Sequence, residues 1–343
     1  MPNSVDIFLK SKSPEKKILI KCCKFIFLTI LSLLAGYNVL LGQTQDSIVY
    51  SNYYNSITYD NPLGDKIYFE YLYKILASFS RLVLRIDYEV YAAVLIFISL
   101  SIKFYLFSKR PYSLYLIIAY LAIMYLMQES LALRAAVAIS FVFLAFEFRS
   151  KRVISLCLLL FGIFFHYSLM LMVPIWVFYS FLVDKKRAIK LLIFAFVSGV
   201  VFYNFSLHSS FVSQYMDARL IGYVISNPDY FNIWSTPHVL FLSVLSYLLY
   251  ANINDDDFKG KDTVLIFIFI GVSHLILSVV FFNVPMLHMR FIDIGILGFY
   301  LASTNSNFRN KSLIRLVFTV VIAYEIMTKT LDVPYLVVTY VTR

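Results

Sequence analysis

The stretch Tyr68-Phe69-Glu70-Tyr71-Leu72-Tyr73-Lys74-Ile75-Leu76-Ala77-Ser78-Phe79-Ser80-Arg81-Leu82-Val83-Leu84 is apolar enough to suggest a membrane span, yet it carries Glu70, Lys74 and Arg81. A crossing here would reverse the side of every later loop. Short cytoplasmic loops collect lysine and arginine. Lys109-Arg110, Arg149 with Lys151-Arg152, Lys185-Lys186-Arg187, Lys259 with Lys261, and Arg309 with Lys311 all fall on the cytoplasmic side only if residues 68–84 do not cross. The stretch is therefore expected to form an amphipathic or re-entrant helix on the outer side, a form the bilayer tolerates when protein or water covers its polar face.

Composition supports the membrane setting. The chain is 60% apolar and 18% aromatic, with a mean hydropathy of +0.77, whereas an ordinary soluble domain is roughly 45–50% apolar. Apolar runs at 22–41, 89–107, 112–127, 131–148, 153–166, 168–183, 188–206, 237–254, 263–283, 287–303 and 312–328 are separated by short polar joins. This pattern predicts an all-α, polytopic integral membrane protein with about 11 transmembrane helices, within a range of about 10 to 12. The tail segment 333–342 is left open as a further crossing. A single integral domain over 1–343 is expected, with a first outer loop at 42–88 and a second long outer loop at 206–236.

The net charge of +10 is spread among short loops rather than gathered into a patch interleaved with aromatics, so no nucleic-acid partner is expected. Cys22, Cys23 and Cys157 lie in or beside apolar runs, and no CxxC pair or zinc spacing occurs. The first apolar run follows Lys10, Lys12, Lys16, Lys17, Lys21 and Lys24 without a small-residue cleavage site, which fits an uncleaved first helix and a cytoplasmic N-terminus. Asp255-Asp256-Asp257, flanked by Lys259 and Lys261, reads as a solvated cytoplasmic turn, since it lacks the glycine and glutamate of a calcium loop. No phosphate loop, nucleophile elbow or HExxH is present, and neither a metal nor another cofactor is expected.

Five residues that hydrocarbon disfavours, Glu129, Arg134, His166, His288 and Arg290, stand at the outer edges of apolar runs. A guanidinium one turn inside a span costs a few kcal/mol on insertion scales unless it faces a polar cavity, so Arg134 reads as functional. The plainer alternative is that it snorkels to headgroups or pairs with Glu129. His166 ends the run Leu158-Leu159-Leu160-Phe161-Gly162-Ile163-Phe164-Phe165, and either lines a cavity or donates to a nearby carbonyl. Arg290 follows the Asn283-Val284-Pro285-Met286 turn and either binds an anion or pairs with Asp293. Two arginines at the outer ends of separate spans suit a diphosphate, because guanidinium forks bind phosphate oxygens in bidentate fashion.

The order Glu129-Ser130-Leu131-Ala132-Leu133-Arg134-Ala135-Ala136, a basic Arg149-Ser150-Lys151-Arg152 loop and then Phe165-His166 with Pro174 resembles the EpsG-like branch of the Wzy polysaccharide polymerases. The tyrosine-rich Gln45-Asp46-Ser47-Ile48-Val49-Tyr50 segment with Tyr53 and Tyr54, and the Phe69-Glu70-Tyr71 helix, are similar as well. The likeness covers residues 42–176 best, and Ala135 stands where that family commonly has glutamine. The resemblance implies a metal-independent glycosyltransferase with a GT-C-like fold. It would polymerise undecaprenyl-diphosphate-linked repeat units into O-antigen, capsule or exopolysaccharide at the outer face of a bacterial plasma membrane. A chain-length regulator and a flippase of the same pathway would be its neighbours.

Such a transfer needs a group to hold the leaving diphosphate and a base for the acceptor hydroxyl, with an oxocarbenium-like state between them. Arg134, Arg290 and the loop residue Arg219 are candidates for the diphosphate; Asp46, Glu70 and His166 are candidates for the base; Glu129, His288 and Tyr215 would support them. Aromatics near the outer surface, Trp234 among them, suit sugar stacking or an ordinary aromatic belt. A lipid-linked-oligosaccharide flippase would carry similar charges, but spread through the membrane midplane of two related halves. A membrane O-acyltransferase drawing on cytoplasmic acyl-CoA would need its histidine reachable from within, and His166 lies on the other side in this topology.

Overall fold

The computed structural model describes residues 26–34, 45–64, 69–110, 113–123, 125, 129, 132–178, 262–280, 285–303 and 312–320, with single positions 28, 315 and 318 left out. Among the described residues the regular elements are helical and no strand occurs. They are α1 (Gln45–Asn55), α2 (Tyr71–Ser78) continued by a π-helical turn (Phe79–Val83), α3 (Tyr88–Ser108), α4 (Ser113–Ile123), α5 (Leu133–Glu147), α6 (Arg152–Phe165), a 3₁₀ turn (Tyr167–Leu171), α7 (Met172–Val177), α8 (Asp262–Val280) and α9 (Pro285–Ser303). The chain forms two compact units, residues 1–170 with 326–343, and residues 171–325. The apolar runs expected at 188–206 and 237–254, the loop 206–236, the Asp255-Asp256-Asp257 turn and the segment 333–342 lie outside the described residues.

In the first unit α3 coincides with the expected run 89–107 to within a residue at either end. Among the described residues it is the one helix long and apolar enough to cross a membrane. Its 21 residues rise about 31 Å, against a hydrocarbon core of about 30 Å. The segment between Tyr68 and Leu84 forms a shorter helix: α2 and its π-helical turn rise only about 20 Å. Tyr71, Ile75, Phe79 and Val83 are exposed at four-residue spacing, while Tyr73, Ala77 and Ser80 face inward. That division between an apolar exposed line and a packed opposite face matches the amphipathic helix the sequence suggests.

The region before it is more ordered than a polar loop. Tyr50, Tyr53, Tyr54 and Ile57 recur at helical spacing and are all buried, so α1 and the turn after it present one packed face. Tyrosine hydroxyls fasten this layer to the backbone. Tyr53 donates to the Leu63 carbonyl at 3.0 Å, Tyr54 to that of Ile86 at 2.8 Å and Tyr59 to that of Leu82 at 3.0 Å. Gly64, with φ +65°, lies under the Tyr53 ring, where a Cβ would come within 2.9 Å of it.

α5 and α6 form an antiparallel hairpin packed on α3 and α2. Gly162 makes the approach possible, since a Cβ there would stand 2.7 Å from Val142 Cγ2 and 2.8 Å from the Ala138 carbonyl oxygen. Ser155 Oγ donates to the Ala145 carbonyl at 2.6 Å, and Arg110 pairs with Glu147 at 2.6 Å, which fixes the end of the hairpin nearest the basic loops. The second unit contains a hairpin of the same kind. α8 and α9 cross at Gly271, Gly295 and Gly298, where a Cβ on Gly298 would meet the Phe267 carbonyl oxygen at 2.9 Å. Small residues at helix crossings allow backbones to approach where hydrocarbon offers no hydrophobic drive.

Gly162→Ala gains about 1 kcal/mol of helix propensity but loses roughly 1–3 kcal/mol to overlap with fixed backbone. The expected outcome is a lower unfolding midpoint for the detergent-solubilised protein; a midpoint equal to or above that of the parent would contradict this account of the α5–α6 contact.

Candidate functional site

Three of the expected residues meet inside the first unit, each delivered by a different element. Glu70 precedes α2 with extended backbone (φ −65°, ψ 148°), and its carbonyl accepts the first bond of the helix from Lys74 N–H at 3.1 Å. Its carboxylate does not cap the helix but turns away. Arg134 is the second residue of α5, where its charge adds to the partial positive charge of the helix N-terminus. His166 closes α6: its N–H still bonds to Gly162 O at 2.9 Å, while its extended backbone (φ −157°) swings the ring off the helix axis.

The carboxylate links the other two. Glu70 Oε1 lies 2.9 Å from His166 Nδ1, and Glu70 Oε2 accepts a hydrogen bond from Arg134 Nη1. Arg134 Nε donates to the Tyr50 hydroxyl at 3.2 Å, and the guanidinium sits over the rings of Phe69, Tyr50 and Tyr73 at 4.4, 5.1 and 5.9 Å from their centroids. Phe165 closes the group, edge-on to Tyr73 at 5.8 Å. Among the described residues Arg134 Nη2 makes no hydrogen bond. The Glu70 side chain is 5% exposed while those of Arg134 and His166 each keep 16%, so the carboxylate is the most enclosed of the three.

Electrostatics assigns different tasks to these groups. Burial alone raises the Glu70 pKa, but the hydrogen bond to His166 and the charge of Arg134 outweigh it and hold the carboxyl down at about 2. A carboxylate so stabilised is a poor proton acceptor and a good anchor. It accepts from Nδ1–H and thereby leaves Nε2 as the basic nitrogen of the His166 ring. The tyrosines around it move the opposite way, with burial pushing Tyr53 up to about 12 and Tyr73 well above its ordinary value, so both remain neutral.

The remaining candidates are placed differently. Asp46 lies on α1, one helical turn before Tyr50. Glu129 does not pair with Arg134: it is fully buried and bonds to Lys103 Nζ at 2.6 Å, Tyr120 Oη at 2.6 Å and Ser99 Oγ at 3.1 Å, between α3, α4 and α5. His288 is buried in the second unit with Nδ1 2.8 Å from the Ser278 carbonyl oxygen near the α8 C-terminus. Arg290 is half-buried on α9, three residues before Asp293. Tyr215 and Arg219 lie outside the described residues.

Tyr50, Phe69, Tyr73 and Phe165 form an aromatic wall, and Lys103, Ser99, Tyr120 and Ser140 a polar cluster, that no motif in the sequence marks. The spacing of Tyr50 with Tyr53 and Tyr54, and of Ser99 with Lys103, was the available signal, since both are one-face patterns of a helix. Among the described residues no three His, Cys, Asp or Glu side chains gather as a metal site.

Ser99 of α3 and Ser140 of α5 touch at 3.0 Å. The model of the EpsG family matches residues 21–340. The chain belongs to the EpsG family. Membership carries the expectation of a membrane protein with a polysaccharide-polymerase-like role. No curated protein and no solved structure matches the chain.

A group whose folded pKa is depressed contributes stability above its unfolded pKa and loses it as pH falls through the folded value. For Glu70 that window runs from the ordinary value of 4.5 down to about 2. The linked contribution is on the order of 3 kcal/mol, at about 1.4 kcal/mol per pKa unit. The stability gap between the parent protein and Glu70→Gln is therefore expected to be constant above pH 4.5 and to narrow below it. Unfolding curves across that range check this, and a gap independent of pH would refute the anchoring role of the carboxylate.

Proposed function

We propose that this EpsG-family chain is a polytopic membrane glycosyltransferase that joins lipid-diphosphate-linked oligosaccharide units at the outer face of a bacterial plasma membrane. The observation that carries the reading is the Glu70 carboxylate bonded at once to His166 Nδ1 and Arg134. It creates an oriented base and a fixed cation side by side, which are the two groups a glycosyl transfer with a diphosphate leaving group requires.

In this reading the acceptor hydroxyl attacks the anomeric carbon of the lipid-linked donor while His166 Nε2 takes its proton. The bond from that carbon to the diphosphate oxygen breaks, and Arg134 receives the developing charge through Nη2. Glu70 stabilises the imidazolium that forms and holds the ring in place, an arrangement familiar from carboxylate-histidine pairs in other hydrolases and transferases. Of the base candidates, His166 therefore takes precedence over Glu70 and Asp46. With the start of α5 on the outer side, a diphosphate beneath the headgroup layer would meet the Arg134 guanidinium. The aromatic wall of Tyr50, Phe69 and Tyr73 offers ring faces to sugars as well as holding Arg134.

Deleting the gene and running the surface polysaccharide on a gel tests the class. Loss of a polymerase leaves one repeat unit on its carrier, whereas loss of a flippase leaves none displayed. His166→Ala and Arg134→Ala are each expected to reproduce the single-unit pattern with protein levels unchanged, a loss of roughly 100-fold or more. A normal ladder from His166→Ala would end the assignment of the base. Arg290→Ala, in the second unit, is read in the same assay.

A further inference from the structure

Away from the site, Lys103 and Glu129 form an ion pair whose two side chains are both 0% exposed. Lys103 Nζ donates to Glu129 Oε1 at 2.6 Å, Tyr120 Oη at 2.9 Å and Ser99 Oγ at 3.1 Å, so its three hydrogens are all engaged. Glu129 is less evenly served. Ser99, Lys103 and Tyr120 all donate to Oε1, and among the described residues Oε2 makes no hydrogen bond. A buried ion pair adds little net stability over an apolar pair of the same volume. What such a pair does well is specify register, because any other alignment of the helices strands a buried charge.

The register it specifies is that of α5. Glu129 stands five residues before Arg134, and the start of α5 between them at Ala132 has no side-chain cap. One ion pair, Lys103–Glu129, ties the approach to α5 back to α3; the other, Glu70–Arg134, ties its first turn to α2. Ser140 extends the same anchorage into the helix, meeting Ser99 Oγ at 3.0 Å while donating to Ala136 O at 2.8 Å. We propose that Lys103 and Glu129 are positioning residues whose ion pair fixes where α5 begins and so holds Arg134 beside Glu70. Their effect on glycosyl transfer rests on the function proposed above, but their effect on the helix start does not.

The test compares two double variants in the full-length protein in nanodiscs and in cells. Lys103→Met with Glu129→Met removes both buried charges and keeps apolar volume, so the protein is expected to accumulate at parental levels. Its polysaccharide ladder is expected to fall at least tenfold, and hydrogen exchange of the amides of residues 133–137 to quicken by about tenfold while α6 stays unchanged. The charge exchange Lys103→Glu with Glu129→Lys restores the pair and is expected to recover both readouts to within about threefold. Parental exchange and a parental ladder in the methionine variant would overturn the proposal. If that variant does not accumulate, Lys103→Arg, which retains the pair, must keep parental exchange at 133–137 while Lys103→Gln accelerates it, and equal exchange in the two would also overturn it. Quickened exchange together with a normal ladder in both the methionine variant and His166→Ala would instead uphold the positioning role and remove the proposed reaction.

Discussion

A carboxylate withdrawn from water needs compensating positive charge and donors, and in this protein that requirement organises the first unit around Glu70. The residue sits where a helix begins, yet its side chain reaches across to α5 and to the end of α6, so three elements remote in sequence share one ionic contact. The contact works in both directions. Arg134 at a helix N-terminus is a cation in a field that repels it, and the opposing carboxylate together with the faces of Phe69, Tyr50 and Tyr73 makes its position tolerable. Elements that would otherwise pack through interchangeable apolar surfaces gain one arrangement in which no charge is stranded.

Aromatic packing gives that contact its walls. Tyr53 meets Phe69 edge-on at 4.7 Å, Tyr54 stacks on Tyr91 at 5.2 Å, and Tyr73 lies between Phe69 and Phe165 at 5.3 and 5.8 Å. These rings cover the guanidinium, and among the described residues its Nη2 makes no hydrogen bond. Close helix contact does the rest: Gly162 lets α6 lie directly on α5, and the hairpin delivers His166 to the level of Arg134.

Much of this arrangement was legible in the sequence. The charges of Glu70, Lys74 and Arg81 mark residues 68–84 as an amphipathic helix, and a short helix with a packed and an exposed face stands at 71–83. The proximity of Arg134 and His166 followed from their places at the ends of apolar runs, and α3 matched its expected run almost residue for residue. Other features were not legible, for physical reasons. Partnership depends on three-dimensional proximity, so Glu129, five residues from Arg134, is the nearer carboxylate in sequence, whereas the partner is Glu70, 64 residues away. Lys103 near the end of an apolar run resembles a snorkelling side chain until Tyr120 and Glu129 close around it. α1 hid inside a polar stretch because its buried face is made of tyrosines rather than aliphatic residues.

The hydroxyl bonds of Tyr53, Tyr54 and Tyr59 separate two jobs within one short segment. Rings and carbonyl contacts secure the frame at Leu63, Leu82 and Ile86, while Asp60 and Asn61 at the tip are exposed, the turn closed on itself by the Thr58–Asn61 bonds. Lineages can lengthen, shorten or recolour that tip without disturbing the scaffold beneath it. Change at those outermost residues is buffered by the ring layer beneath, so the segment can vary there while Glu70, Arg134 and His166 keep their places.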